Sequence, residues 1–286
     1  MFLNKMLKSV VSVLGFVFVM SLCIGLPGAN AKHVDCNLFG CKDDCEFTMD
    51  FRLEDCKFET RGVNPSFILK PGYQLVLESE DEKSVETVLC DTKEINLDDR
   101  TIITRVVEER AYEDDVLIEI SRNYFAICKK TNAVYYFGEL SRDCPAGFDE
   151  NDVCTGEPGT EEGESTEGSW EAGVDGGEPG LIMPGTPLMG TKYFQEIAEE
   201  QEAVDRGQIV DVGFDFGKWS GCIEINDTNP AEGVCKLGDD VKIYCPGVGL
   251  VKDQDLELVE YGFVGCKDED DEDDEDDDDD HKWREK

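Results

Sequence analysis

Alternation of apolar and polar residues between positions 73 and 137 constrains the fold of this chain more than any other feature. In Tyr73–Glu78 the tyrosine and both leucines occupy every second position, and Val116–Ser121 repeats the pattern with a valine and two isoleucines. Successive side chains of a β-strand leave it on opposite faces, so this period of two is typical of strands that bury one side. The segment therefore predicts antiparallel strands connected by short polar turns.

Further strands are expected on both sides of a Gly- and Glu-rich stretch. They lie near Ser84–Glu94, Thr101–Glu109, Val116–Lys129 and Ala133–Gly138 in the first half, and near Ile209–Phe214, Cys222–Asn226, Val241–Tyr244 and Leu256–Tyr261 in the second. Several short strands without an intervening helix favour an all-β protein. We expect a curved antiparallel sheet, either a half-barrel or a sandwich.

Changes in composition divide the chain into six segments. They are a signal peptide (1–31), a cysteine-rich extension (32–60), the first half of a β-meander (61–140), an acidic Gly/Glu-rich loop (141–180), a β-rich second half (181–266) and a poly-acidic tail (267–286). The extension has too few apolar residues for its own core, so we expect it to be cross-linked and packed onto the β-domain. The tail contains an unbroken run of thirteen acidic residues, which is typical of a disordered segment.

The first 31 residues have the layout of a secretory signal peptide. A basic start at Lys5 and Lys8 precedes an apolar run over positions 10–26, and Ala29 and Ala31 form a small-x-small cleavage site. An uncleaved membrane anchor is the alternative, although the run is short for a span and is followed by proline and glycine. No later apolar run is long enough to cross a bilayer. We therefore expect an exported protein, periplasmic or extracellular, with no transmembrane segment after cleavage.

Cleavage leaves twelve cysteines, because Cys23 is the one of thirteen that lies in the signal peptide. An even number of cysteines in an exported chain predicts disulfides. Structural zinc is the alternative, but the chain has no Cys-x-x-Cys pair, and its two histidines, His33 and His281, lie near the ends. Disulfides are the better interpretation.

Two disulfides can be predicted individually. Cys144 and Cys154 flank nine residues, and a bond between them would close a small local loop. Cys235 and Cys245 each lie five residues from Asp240, within a Gly-Asp-Asp turn. This spacing would make them direct opposites across a hairpin, so we expect them to be bonded to each other.

The net charge limits the range of partners. It is −39 for the whole chain and near −41 after removal of the signal peptide, which contains two lysines and no acidic residue. Such a surface repels DNA, RNA and anionic lipid, so no nucleic-acid partner is expected. It attracts cations and basic proteins, and a cationic surface protein is one candidate partner. Solubility or a salty habitat explains the same charge equally well.

Four stretches of the sequence together resemble a family of uncharacterised exported bacterial proteins. They are Asn64–Glu78, Ser121–Glu139, Gly168–Gly176 with Met183–Pro187, and Pro246–Lys252, within a region that runs from Gly62 to Phe263. The resemblance implies a curved antiparallel sheet in the half-barrel style of envelope lipoprotein carriers, and it implies no activity, cofactor or catalytic residue. It also implies extended structure with an acidic bulge for positions 194–206, although their composition is helical. Cys245 stands where the family usually has alanine.

The sequence offers no catalytic constellation. Because both histidines lie near the termini, a histidine-based triad inside the domain is not expected. A carboxylate pair could support an enzyme, but with 66 acidic residues any chosen pair carries little information. Glu108 and Glu119, for example, are expected on a solvated face. We interpret the protein as non-catalytic, with a carboxylate-based enzyme as the least supported alternative.

Two kinds of ligand remain open. Asp149, Asn151 and Asp152 offer oxygen ligands on the loop between Cys144 and Cys154, so Ca²⁺ is the one possible metal cofactor, although the loop lacks the glycine and final glutamate of an EF-hand. A hydrophobic ligand could instead occupy a concave sheet. The aromatic residues that could line it are Tyr124, Phe125, Tyr135, Tyr136, Phe137, Tyr193 and Phe194. The predicted function is that of an exported binding or structural module, with cation binding as the alternative.

Overall fold

The computed structural model describes residues 46–231 and 240–265, and all of these belong to one compact unit. The strands are β1 (Phe58–Glu59), β2 (Gly62–Asn64), β3 (Phe67–Leu69), β4 (Tyr73–Glu78), β5 (Glu82–Leu97), β6 (Arg100–Glu113), β7 (Val116–Cys128), β8 (Val134–Asp143), β9 (Trp170–Glu171), β10 (Glu178–Met183), β11 (Lys192–Phe194), β12 (Glu196–Ile197), β13 (Arg206–Phe216), β14 (Trp219–Thr228), β15 (Asp240–Cys245), β16 (Gly249–Asp253) and β17 (Leu256–Phe263). Two three-residue 3-10 turns, Leu53–Asp55 and Glu199–Gln201, are the helical segments of this part of the chain. The all-β prediction is confirmed, and no segment within the described ranges is a candidate membrane-spanning helix.

One antiparallel sheet of fifteen strands contains every strand except β2 and β3, which form a separate hairpin. Its main path runs β11-β13-β14-β15-β16-β17-β4-β5-β6-β7-β8-β10-β12, with β1 paired to β7 and β9 paired to β8. The two predicted halves therefore join through β17 and β4 and do not form separate sheets.

The sheet is nearly closed, because its two edge strands are consecutive in the chain. β11 and β12 are separated by Gln195 alone, yet β11 pairs with β13 and β12 pairs with β10. This short stretch thus connects one edge of the sheet to the other. Residues 194–206 contain strands and a 3-10 turn over Glu199–Gln201, so the extended conformation predicted there is confirmed against the helical composition.

The described part of the N-terminal extension packs on the outside of the sheet. The rings of Phe51 and Phe58 lie edge-on to Tyr135, with centroid distances of 5.9 and 5.5 Å, and Phe58 also contacts Phe137 at 5.2 Å. A disulfide joins Cys56 to Cys128 on β7. The prediction of a cross-linked extension covering the β-domain is confirmed for these residues.

The local disulfide predicted between Cys144 and Cys154 is present. The bond predicted between Cys235 and Cys245 is wrong, because Cys245 is bonded to Cys222. The partner of β15 is β14, whose register pairs Ile223 with Tyr244, so Cys222 lies directly across from Cys245 with their Cα atoms 4.2 Å apart. Cys235 lies outside the described residues.

A buried arginine supports the irregular middle of β5, where the pairing to β6 shifts between Val88 and Thr92. The guanidinium of Arg105 donates hydrogen bonds to the carbonyls of Leu89, Cys90 and Asp91. These carbonyls lie in the interrupted stretch of the ladder, so the arginine satisfies acceptors that the sheet leaves open. Cys90 is itself disulfide-bonded.

Candidate functional site

Carboxyl side chains line the inner face of the sheet. Opposite residues of an antiparallel pair share a face, and the register places Glu86 opposite Glu109 and Glu109 opposite Ser121. This face is the concave one, because charges on distant strands act on each other there. Burial raises the pKa of Glu109 on β6, and Lys242 on β15 acts to lower it although four strands separate β6 from β15 in the sheet order.

The register extends this acidic lining along neighbouring strands. Glu119 lies opposite Ala111, one alternation from Glu109, and Glu139 lies opposite Asn123. On the far side of the interior, Asp227 on β14 faces the same way as Lys242 on β15. We define the interior acidic cluster as the residues Glu86, Glu109, Glu119, Glu139, Glu196 and Asp227.

Enclosure raises the pKa values of these carboxyl groups. Burial, with the nearby charges of Glu109 and Asp253, raises the pKa of Glu86 to about 8. Burial and Glu109 likewise raise the pKa of Glu119 to about 8 and that of Glu139 to about 7. An ionised carboxylate loses hydration in such an enclosed place, and each neighbouring carboxylate adds repulsion. Much of the cluster therefore carries protons near neutral pH.

Lys242 is the cation of this cluster, and acidic partners hold it in place. Its ammonium group lies 3.2 Å from a carboxylate oxygen of Asp227 and 3.6 Å from one of Asp253. The amide of Gln195 donates a 3.0 Å hydrogen bond to the other oxygen of Asp227. Burial still raises the pKa of Asp227 to about 7, although Lys242 acts to lower it.

Glu196 brings the closure of the sheet into the same cluster. Burial, followed by the charges of Asp205 and Glu139, raises the pKa of Glu196 well above its usual value. The backbone N–H groups of Gln195 and Glu196 both donate to the carbonyl of Asp205, at 2.7 and 3.1 Å. The stretch that connects the two sheet edges thus also supplies an interior carboxyl group.

Arg110 and Arg122 hold Glu108 on the opposite, outer face. Glu108 is 8% exposed, and its two carboxylate oxygens accept from Arg110 at 2.8 Å and from Arg122 at 3.1 Å. The expectation of a solvated Glu108–Glu119 pair is wrong in two respects. Glu108 is buried by its arginine partners, and Glu119 lies on the inner face.

The loop proposed for Ca²⁺ uses its oxygens for internal contacts. Both carboxylate oxygens of Asp152 accept from the guanidinium of Arg110, at 2.8 and 2.7 Å. One oxygen of Asp149 accepts from the backbone N–H groups of Asn151 and Val153, at 2.8 and 3.0 Å, while Asn151 itself is exposed. Within the described ranges, no group of three or more His, Cys, Asp or Glu residues has the arrangement of a metal site. Calcium binding by Asp149, Asn151 and Asp152 stays a prediction without geometric support.

The aromatic residues proposed to line one concavity lie on both faces. Tyr135 and Phe137 point outward beneath the N-terminal extension, whereas Phe125 and Tyr136 point inward and stack at 4.7 Å. Phe194 packs instead against Phe47 of the extension, at 5.9 Å. Most of these rings are therefore core residues on one side of the sheet or the other, as are Tyr124 and Tyr193, which are also buried.

A cavity of about 30 Å³ lies between the inner face and the β2–β3 hairpin. We call it the hairpin cavity. Its lining comprises Ser66, Phe67, Ile68, Tyr73, Leu75, Glu86, Val88, Val107, Tyr244, Val248, Gly249 and Leu250. This volume holds one or two water molecules or a group of two or three heavy atoms. The walls are mostly apolar, and Glu86 is the one carboxyl group among these residues.

Side-chain and backbone hydrogen bonds hold the hairpin over the cavity. The Asn64 amide donates to the carbonyls of Asn132 and Pro184, at 2.9 and 3.1 Å, and its oxygen accepts from the Ser66 N–H at 2.9 Å. The Gly247 N–H donates to the Pro65 carbonyl at 2.7 Å. The hairpin is therefore fixed to the segments that follow β7, β10 and β15.

Comparison of the chain with protein-family models, with curated proteins and with solved structures finds no match. The resemblance to exported bacterial proteins therefore remains a prediction.

Proposed function

We propose that the protein is an exported, non-catalytic binding module that takes a small ligand into the hairpin cavity. The observation that carries this proposal is the cavity itself: apolar walls and one enclosed carboxyl group, covered by a hairpin outside the main sheet. Small-ligand sites commonly combine a mostly apolar lining with a few placed polar groups. The volume is too small for an acyl chain, so a lipid is not the ligand we favour.

Catalysis by paired carboxylates is less well supported than binding. Glu86 and Glu109 lie opposite each other, and burial raises the pKa of both. A glycosidase requires room for a sugar between one ionised and one protonated carboxyl group. The cavity beside Glu86 has room for only a few atoms.

Export to the periplasm or the extracellular space is supported by the disulfides between Cys56 and Cys128, between Cys144 and Cys154, and between Cys222 and Cys245. Such bonds persist in oxidising compartments. In denatured protein recovered outside the cytoplasm, we expect almost none of the twelve cysteines of the mature chain to react with a thiol reagent. Reaction of most of them would contradict export.

The ligand site is tested by filling it. Val107→Phe adds a ring to the wall of the hairpin cavity, and Val88→Leu adds a single methylene if the larger change prevents folding. We expect ethylammonium, ethanol or acetate, each at 10 mM, to shift NMR signals of cavity-lining residues in the wild-type protein and to leave them unchanged in the filled variant. If none of the three probes shifts these signals, the proposed function is wrong.

A further inference from the structure

The hairpin cavity contains a carboxyl group that forms no salt bridge with any described residue. Glu86 has no hydrogen-bond or ion-pair partner among residues 46–231 and 240–265, whereas Glu109 opposite it accepts a 2.8 Å hydrogen bond from Ser84. Lys242, whose charge acts to lower the pKa of Glu86, forms its ion pairs with Asp227 and Asp253 instead. A positive group placed in the cavity would therefore meet a carboxyl group that forms no salt bridge.

The apolar walls specify the rest of the ligand. Leu75 on β4, Val88 on β5 itself and Val107 on β6 surround Glu86, and Phe67 of the hairpin also lines the cavity. A bare metal ion would bring no surface to pack against these walls and would lack the further oxygen ligands that it needs. A short alkylammonium ion can pack its alkyl group against the apolar walls and pair its ammonium group with the carboxylate.

We propose that the hairpin cavity binds a short primary alkylammonium ion, with its ammonium group against Glu86 and its alkyl group against Leu75, Val88 and Val107. This inference rests on the proposed binding function and names the ligand class of the same site. The cavity volume of about 30 Å³ fits a ligand of two or three heavy atoms, or the ammonium end of a longer amine. A ligand of that size binds with a dissociation constant on the order of 1 mM at best.

Binding of the cation is coupled to the loss of a proton. Near neutral pH the O–H bond of the Glu86 carboxyl group breaks as the ammonium arrives, and its proton passes to solvent. The charged groups that face Glu86 are Glu109 on β6, Asp253 on β16 and Lys242 on β15, and Tyr73 and Tyr244 line the same cavity. Affinity for the ammonium should therefore increase up to tenfold per pH unit between pH 6 and pH 8.

Ethylammonium and ethanol form a matched pair of probes, because they are similar in size and differ in charge. We expect NMR titration to detect ethylammonium in the cavity at pH 8, with affinity at least tenfold higher than that of ethanol. Glu86→Gln should reduce the affinity for ethylammonium at least tenfold and remove its pH dependence. Glu119→Gln, an interior change outside the cavity lining, serves as the control and should leave the affinity within about twofold.

The possible failures are distinguishable. Equal binding of ethanol and ethylammonium, or unchanged ethylammonium binding in Glu86→Gln, would overturn the ammonium inference and leave the proposed binding function standing. Binding of acetate alone would do the same. If none of the three probes binds, both proposals are wrong.

Discussion

The protein is expected to lose about 4 kcal/mol of unfolding free energy as the pH rises from 5 to 9. The pKa is raised to about 8 for Glu86 and Glu119 and to about 7 for Glu139 and Asp227. In the unfolded chain these groups titrate near 4. Raised carboxyl pKa values stabilise the folded state fully below the unfolded pKa, and this contribution is lost as the pH rises through the folded pKa. Partial contact with solvent at the three glutamates, and the ion pair with Lys242 at Asp227, reduce each contribution to about 1 kcal/mol.

Urea unfolding at intervals of one pH unit measures this loss. Repulsion across a chain of net charge −39 also increases with pH, so the series should be repeated in 0.5 M NaCl, where surface charges are screened beyond about 4 Å. The enclosed carboxyl groups are screened much less, so most of the loss should remain in salt. The free energy of unfolding of Glu119→Gln should exceed that of the wild type by about 1 kcal/mol at pH 9 and by little at pH 5. Glu80→Gln, at an exposed turn, should show no such difference.

The substitution Gly180→Ala is expected to destabilise the protein by about 3 kcal/mol or more. A Cβ atom at this position would lie 1.9 Å from the carbonyl oxygen and 2.2 Å from the carbonyl carbon of Gln195. Both atoms belong to the backbone that connects the two edges of the sheet, so a side-chain rearrangement cannot relieve the collision. β10 and β12 must separate, which would open the sheet at its closure.

Gly168→Ala provides the matched control for this change. Gly168 has a positive φ of 84°, but a Cβ there meets nothing within 4 Å, so its cost is limited to backbone strain of about 1 kcal/mol. Chemical denaturation of both variants compares the two. A Gly180→Ala variant as stable as Gly168→Ala would show that β10 and Gln195 do not approach each other, and would contradict the closed sheet.

Local alternation predicted the strands well, because the period of two is a property of each strand alone. The long-range pairings could not be obtained in this way. The pairing of β12 with β10 brings Glu196 to Pro179 across a loop of irregular chain, and no local signal encodes it. The partner of Cys245 was missed for the same reason. Equal spacing around Asp240 pointed to Cys235, but Cys245 is bonded to Cys222, which lies 23 residues away in the sequence.

The interior acidic cluster was missed although its signal is present in the sequence. Glu86 and Glu109 occupy positions in phase with buried Val88 and Val107, where alternation calls for apolar side chains. Such residues look like solvent-facing exceptions until the curvature of the sheet is known. Closure of the sheet encloses these positions. The residues that face them across the interior lie on strands more than a hundred residues away in the sequence.

The most direct test of the enclosed acidic interior is a ¹³C NMR titration of the side-chain carboxyl carbons, with signals assigned through Glu86→Gln and Glu119→Gln. We expect Glu86 and Glu119 to titrate near pH 8, whereas an unperturbed carboxyl group titrates near pH 4. Titration of both residues near pH 4 would show that they face bulk solvent. In that case neither a closed interior nor a ligand site beside Glu86 exists in this protein.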